Sequence, residues 1–138
     1  MQPPPPLFDP EREPFTDIRV AFERAVQEQK NVLIELGGDW CIWCHRLERF
    51  IRSHPELLYL RGFGFVHVKV HVDQDGPGHD FLQRLPKFDG IPHFFVYKPT
   101  GELLHSQDTE LLEEGESYNY DKVWTFLATW GQSTTGLH

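Results

Sequence analysis

The chain has 138 residues and a formal net charge of −8, room for one domain with a single core and no basic surplus to neutralise nucleic-acid phosphates or meet an anionic membrane. A hydrophobic fraction of 39% and an aromatic fraction of 14% fit a folded globular chain and argue against a disordered one. No stretch approaches the roughly 20 apolar residues that span a bilayer, and Cys41 and Cys44 alone cannot build the dense disulfide scaffold of a small secreted domain.

Met1-Gln2-Pro3-Pro4-Pro5-Pro6 lacks the basic end and apolar h-region of a secretory signal. As written the chain is expected in the cytoplasm; stripped of a signal it would read the same and sit in the periplasm. Pro3 to Pro6 favour extended polyproline II, so residues 1–15 are expected to form a proline-rich tail. A single domain is expected over 16–131 and a second tail over 132–138. Ile18, Ala21, Phe22, Ala25 and Val26 fall at i, i+3, i+4, i+7 and i+8, which predicts an amphipathic helix capped by Thr16 or Asp17 and ended by Asn31. Val32 to Leu36 is nearly all apolar and suits a short strand covered on both faces.

Beyond the cysteines, Cys44, Leu47 and Ile51 keep one helical stripe as far as Ser53-His54-Pro55, where Pro55 starts a further turn. From Phe63 to Val72 the pattern alternates, with four valines on one face and His67, Lys69 and His71 on the other, which predicts a strand. Gly76-Pro77-Gly78 breaks the chain, and Phe81, Leu82 and Leu85 predict a short helix ended by Pro86. Ile91 to Tyr97 reads as a strand, Lys98-Pro99-Thr100-Gly101 as a turn, and Glu102 to His105 as the second arm of a hairpin. Gln107 to Ser117 is expected as an exposed acidic loop, and a last helix from near Asn119 is expected to bury Tyr120, Val123, Trp124 and Leu127. The order α-β-α-β-α-β-β-α predicts an α/β fold with a central mixed sheet of about four strands flanked by helices.

Cys41 and Cys44 lie in Trp40-Cys41-Ile42-Trp43-Cys44, where strand gives way through Gly37-Gly38 to helix. Two thiols so close in sequence can form and reopen a small disulfide with little rearrangement. At a helix N-terminus, unpaired N–H groups and the helix dipole favour a thiolate, which makes Cys41 the candidate nucleophile. Cys44, one turn later on the same face, is the candidate resolving thiol. Other readings compete. A closed zinc site wants four ligands, and with no second cysteine pair His45 and another histidine would have to complete it. Cys41-Ile42-Trp43-Cys44-His45 also matches the C-x-x-C-H haem-attachment pattern, although the strand ahead of it and the lack of any methionine beyond Met1 argue against haem. Two inert core cysteines would leave the Gly-Gly-Asp-Trp approach unexplained.

These residues and three further features, in the right order, resemble the thioredoxin superfamily. Glu35 lies six residues before Cys41, where thioredoxins carry a buried acid, and Lys69 matches the family lysine on the neighbouring strand. Gly90-Ile91-Pro92, followed by Phe94-Phe95-Val96-Tyr97, looks like the cis-proline loop and its strand. The resemblance covers roughly residues 16–130 and is nearest to thioredoxin-like domains that include the reductase domains of bacterial disulfide-relay proteins. It implies a thioredoxin-like fold and a Cys41–Cys44 redox disulfide, with no other cofactor and no metal. Cys41 would attack a substrate disulfide and Cys44 would release the product. Glu35, directly or through water, would accept the Cys44 proton with Lys69 beside it, although a structural Glu35–Lys69 ion pair stands as the other reading. Pro92 would lie in the cis form against the cysteines, and the backbone of Ile91 would pair with an extended peptide. Trp40 and Trp43 would form an apolar rim, and His93 would follow the cis-proline in place of a frequent threonine. His45 replaces a common lysine, Ile42-Trp43 replaces the usual Gly-Pro, so the potential does not transfer, and the usual first strand reads as short or missing.

The sequence thus points to a thiol–disulfide oxidoreductase acting on protein disulfides, a reductase rather than an oxidase because Ile91 precedes Pro92. It is expected to work as a monomer on disulfide-bearing protein substrates with an unidentified electron donor, without nucleic acid or membrane insertion. The alternative is a thioredoxin-fold binding module or copper chaperone, whose soft thiolates hold an ion and do not turn over.

Overall fold

The computed structural model describes residues 6–72 and 77–131. Helix α1 (Pro14–Glu28) is capped by Glu13, whose carboxylate accepts from the Phe15 N–H at 2.9 Å, and Pro14 takes the first helical position. The helix therefore starts before the expected Thr16. It ends at Gln29, left-handed with φ 57°, and Asn31, expected to stop it, instead opens strand β1 (Asn31–Gly37). Asn31 Nδ2 donates to the carbonyl of Trp130 at 2.8 Å, tying β1 to the far end of the chain.

β1 is buried at every position and lies inside a four-stranded sheet of order β2-β1-β3-β4. It pairs parallel with β2 (Phe65–His71) and antiparallel with β3 (His93–Tyr97), which pairs antiparallel with β4 (Leu103–Asp108). Helices α2 (Ile42–Arg52), α3 (Pro55–Gly64) and α5 (Tyr120–Trp130) cover one face, setting Leu47, Ile51, Leu57 and Phe126 on Leu33, Phe65 and Phe94. α1 and α4 (Pro77–Gln83) cover the other, with Ala21, Ala25 and Phe81 against Ile34, Val70 and Phe95. Each such buried Leu, Ile, Val or Phe contributes about 1.5–3 kcal/mol, which is what holds a two-faced sheet against chain entropy. No helix among the described residues is long and apolar enough to cross a membrane.

The structure departs from the sequence reading at several points. Pro55 begins a full helix, α3, so β2 starts at Phe65 and not at Phe63. Pro77 and Gly78, read as part of a chain break, open α4. The stretch from Gln107 to Ser117 is not a loop. β4 runs through to Asp108, whose side chain accepts from the Glu110 N–H at 2.9 Å and so caps a 3₁₀ turn, Thr109–Leu112. Thr109 and Leu112 are buried, and a small hairpin, β5 (Glu113–Glu114) with β6 (Ser117–Tyr118), follows. Val26 and Trp124 are exposed because the apolar stripes of their helices centre on Ala21/Ala25 and on Val123/Phe126/Leu127.

The largest departure is at the N-terminus. Residues 7–13, expected as tail, fold back over the domain, and Phe8 is 1% exposed. Asp39 holds them there, accepting from the N–H of Phe8 at 2.7 Å and of Leu7 at 3.1 Å. The expected C-terminal tail and Pro3 to Pro5 lie outside the described residues. Phe8→Ala is expected to cost about 3 kcal/mol in chemical denaturation, whereas Trp124→Ala stays within about 0.5 kcal/mol.

Candidate active site

Cys41 is the N-cap of α2, in extended conformation, with its Sγ accepting from the Cys44 N–H at 3.3 Å. Its own thiol points to the carbonyl of Ile91, 3.8 Å away. Both cysteines are free thiols; Cys41 is 8% exposed and Cys44 0%. Burial pushes the Cys44 thiol far above its ordinary range, and the hydrogen bond to Cys41 and the charges of Cys41 and Glu35 add to the rise. Cys41 thus lies just under the surface, and Cys44 sits beneath it with its proton held.

Gly37 makes that burial possible. A Cβ there would stand 2.5 Å from the Phe8 ring and 2.8 Å from Cys44 Sγ, both closer than real contacts allow. The end of β1, the Phe8 ring and Cys44 meet at this point, and Phe8 joins Cys41 and Cys44 in one buried cluster. His45 Nε2 donates to the carbonyl of Asp39 at 2.7 Å, so Asp39 anchors α2 through its backbone and the N-terminal strap through its side chain.

The Ile91–Pro92 bond is cis. Pro92 is buried, and its carbonyl accepts from Thr109 Oγ1. Ile91 and Pro92 line one side of an open groove of about 270 Å³, with Trp43 and Glu113 among the other walls. Trp43 is half-buried, edge-on to Tyr118 with centroids 5.6 Å apart and with the Arg46 guanidinium 4.6 Å over its ring. Trp40 is 69% exposed and Ile42 is exposed beside it, so the apolar rim includes a residue that the sequence reading did not count.

His93 does not join this group. Strand alternation after Pro92 turns it to the α1–α4 side of the sheet, where Nε2 meets Ser106 Oγ at 2.7 Å and the ring leans on Phe95. Burial lowers its pKa below the ordinary histidine value. His93, expected to follow the cis-proline as part of the substrate site, thus faces away from it.

Lys69 also differs from expectation. It is the cross-strand partner of Glu35 in register, yet its Nζ donates to Glu48 Oε1 at 2.9 Å. Glu48, from α2, also takes Arg61 of α3 at 2.9 Å and Arg52 of its own helix. Desolvation raises the Glu48 carboxyl, but Arg61 and Lys69 more than offset it and hold the group well below the usual carboxylate range. Glu35 finds His67 instead, with Nε2 2.7 Å from Oε1. Burial pushes the His67 pKa below its ordinary value, with Glu35 opposing the shift, so the neutral imidazole is the donor. Phe8, Asp39, Glu48 and His67 are thus the neighbours the sequence reading missed. Only His67 carried a signal, since it faces the same way as Lys69 on β2.

A family model for thioredoxin-like proteins matches residues 13–99. The chain belongs to the thioredoxin-like family. Among solved structures it is similar to a disulphide isomerase from Xylella fastidiosa Temecula1, 22% identical with a TM-score of 0.74 over 89% of this chain and 95% of that one. It is also similar to the C-terminal domain of Neisseria meningitidis DsbD in the oxidised form, 21% identical with a TM-score of 0.54 over 67% of this chain and 81% of that one. No curated protein sequence matches the chain significantly. The first of these likenesses, over 89% of the chain, supports the thioredoxin-like fold of the four-stranded mixed sheet and its flanking helices.

Two measurements follow from this geometry. Iodoacetamide is expected to label Cys41 in the native protein and spare Cys44 until denaturant is added, read by mass spectrometry of the peptides. Glu48→Gln is expected to cost on the order of 3 kcal/mol near neutral pH, because Arg61 and Lys69 lose their common anion. Since folding lowers the Glu48 pKa, its contribution is complete above the unfolded carboxylate value of about 4.3 and is lost as pH falls through the folded value. The stability gap between the two proteins in denaturant titrations should therefore close only below about pH 4.

Proposed function

We propose that this protein is a thiol–disulfide oxidoreductase that reduces disulfides in protein substrates. The observation that carries the reading is Cys41 at the head of α2, within reach of the cis-Pro92 loop, with a fully buried Cys44 hydrogen-bonded beneath it. A nucleophile needs access and a favoured anion, whereas a resolving thiol needs to be hidden until a mixed disulfide brings it an electrophile. Membership of the thioredoxin-like family supports the same chemistry.

Cys41 thiolate attacks one sulfur of the substrate disulfide, and the other leaves as a thiolate. Cys44 then loses its proton to Glu35 and attacks Cys41 Sγ, forming the Cys41–Cys44 disulfide and expelling the second substrate thiolate. A dithiol donor restores the pair by the reverse exchange. Trp40 and Ile42 supply an apolar surface for the substrate, and the groove beside Ile91 and Pro92 receives an extended segment. Ile91 ahead of the cis-proline, the thioredoxin-like choice, is the basis for assigning the reducing direction.

In an assay with a disulfide-bonded protein and dithiothreitol, Cys41→Ser is expected to abolish catalysed reduction, and Cys44→Ser to accumulate a covalent mixed disulfide at Cys41. Trp40→Ala should raise KM several-fold with kcat little changed. Reduction that persists in Cys41→Ser, or thiols that stay inert while holding one equivalent of Cu(I), would remove the enzyme reading. The equilibrium of the Cys41/Cys44 couple against glutathione tests the direction. A couple more reducing than glutathione is required.

A further inference from the structure

We propose that His67 is a positioning residue for the resolving step: by donating to Glu35 Oε1 it fixes the carboxylate and leaves Oε2 to take the proton of Cys44. The inference rests on the function proposed above, in which Glu35 is that proton's acceptor.

Glu35 is 1% exposed, and its Oε2 is buried without a hydrogen-bond partner among the described residues. An acceptor left empty in the interior costs free energy, and such a group in a folded protein calls for an explanation. The other oxygen, Oε1, meets His67 Nε2 at 2.7 Å. Lys69, the register neighbour, is drawn off to Glu48, which Arg61 and Arg52 hold in place. An ammonium against Glu35 would stabilise its charged form and make it a poorer base; a neutral imidazole fixes its geometry without that penalty. Cys44 lies within the electrostatic reach of Glu35, which shares a face of β1 with Gly37, where a Cβ would stand 2.8 Å from the Cys44 sulfur.

His67 also connects this interior to water. Its side chain is 17% exposed on β2, which is an edge strand of the sheet. Glu35 has no such exposure of its own. In the step itself Cys44 gives its proton to Glu35 Oε2 and its sulfur electron pair to Cys41 Sγ. The Cys41–substrate bond breaks, and the departing thiolate is protonated from solvent.

Stopped-flow reaction of the reduced protein with 5,5′-dithiobis(2-nitrobenzoate) separates the two steps, because attack by Cys41 releases one chromophoric thiolate and resolution by Cys44 releases the second. His67→Val is expected to slow the second release about tenfold or more, within the range usual for proton-transfer groups, with the first release unchanged. His67→Gln, which keeps a donor, should recover most of the rate. In a Glu35→Gln background, His67→Val should add no further loss, which a merely structural role would not produce. If the valine variant does not fold, as read by circular dichroism, His67→Asn takes its place. A second phase unchanged in His67→Val, a glutamine variant as slow as valine, or a further loss in the Glu35→Gln background overturns the proposal. If the unmutated protein releases no second thiolate, the oxidoreductase reading itself fails.

Discussion

Strand β1 has no solvent face, and among the described residues its side-chain polar atoms are paired inside the protein except Glu35 Oε2. Its apolar residues meet helices on both sides, so it behaves as the spine of the core. Two positions break the apolar run, Glu35 and Gly37, and both face the α2 side. Glycine at the strand's end lets Cys44 and the Phe8 ring press onto the backbone. The chain then turns through Gly38 and Asp39 and delivers Cys41 to the start of α2. The position of the thiols is therefore inherited from the rigidity of β1 and not from the mobility of a loop.

A second set of constraints comes from Glu48. One carboxylate binds Arg61 from α3, Lys69 from β2 and Arg52 from its own helix. Such a cluster adds little net stability over an apolar replacement, yet losing Glu48 strands the buried Arg61 guanidinium without its anion. Its structural effect is to pin α2 to both α3 and β2, which holds the N-terminus of α2 where Cys41 needs it. It also decides the company of Glu35. With the lysine engaged elsewhere, the acid inside β1 is left with a histidine, and the electrostatics at the thiols differ from those of a carboxylate–ammonium pair.

What could be read in the sequence was what local pattern controls. Cys41, Cys44 and the Gly90-Ile91-Pro92 turn announce themselves by spacing and residue type, and the valine alternation of β2 gives its two faces. The pairing of Glu35 could not be read that way, because it depends on which of two same-faced residues on β2 is claimed by an acid from α2. Phe8 was hidden for a different reason. One apolar pair after a run of prolines has no periodicity, and its burial depends on a carboxylate 31 residues away. His93 was legible in principle, since a residue next to Pro92 on a strand must look to the opposite side. A family pattern placed it near the thiols, and strand parity overrules that placement.

The outward-facing Val26 on α1 carries a practical corollary. It stands on the side of the sheet opposite α2, on a helix that shares no hydrogen bond with the thiol pocket among the described residues. A tether or dye attached there would immobilise or label the molecule from behind, leaving the Trp40 and Cys41 end turned toward the bulk and free to meet a macromolecule.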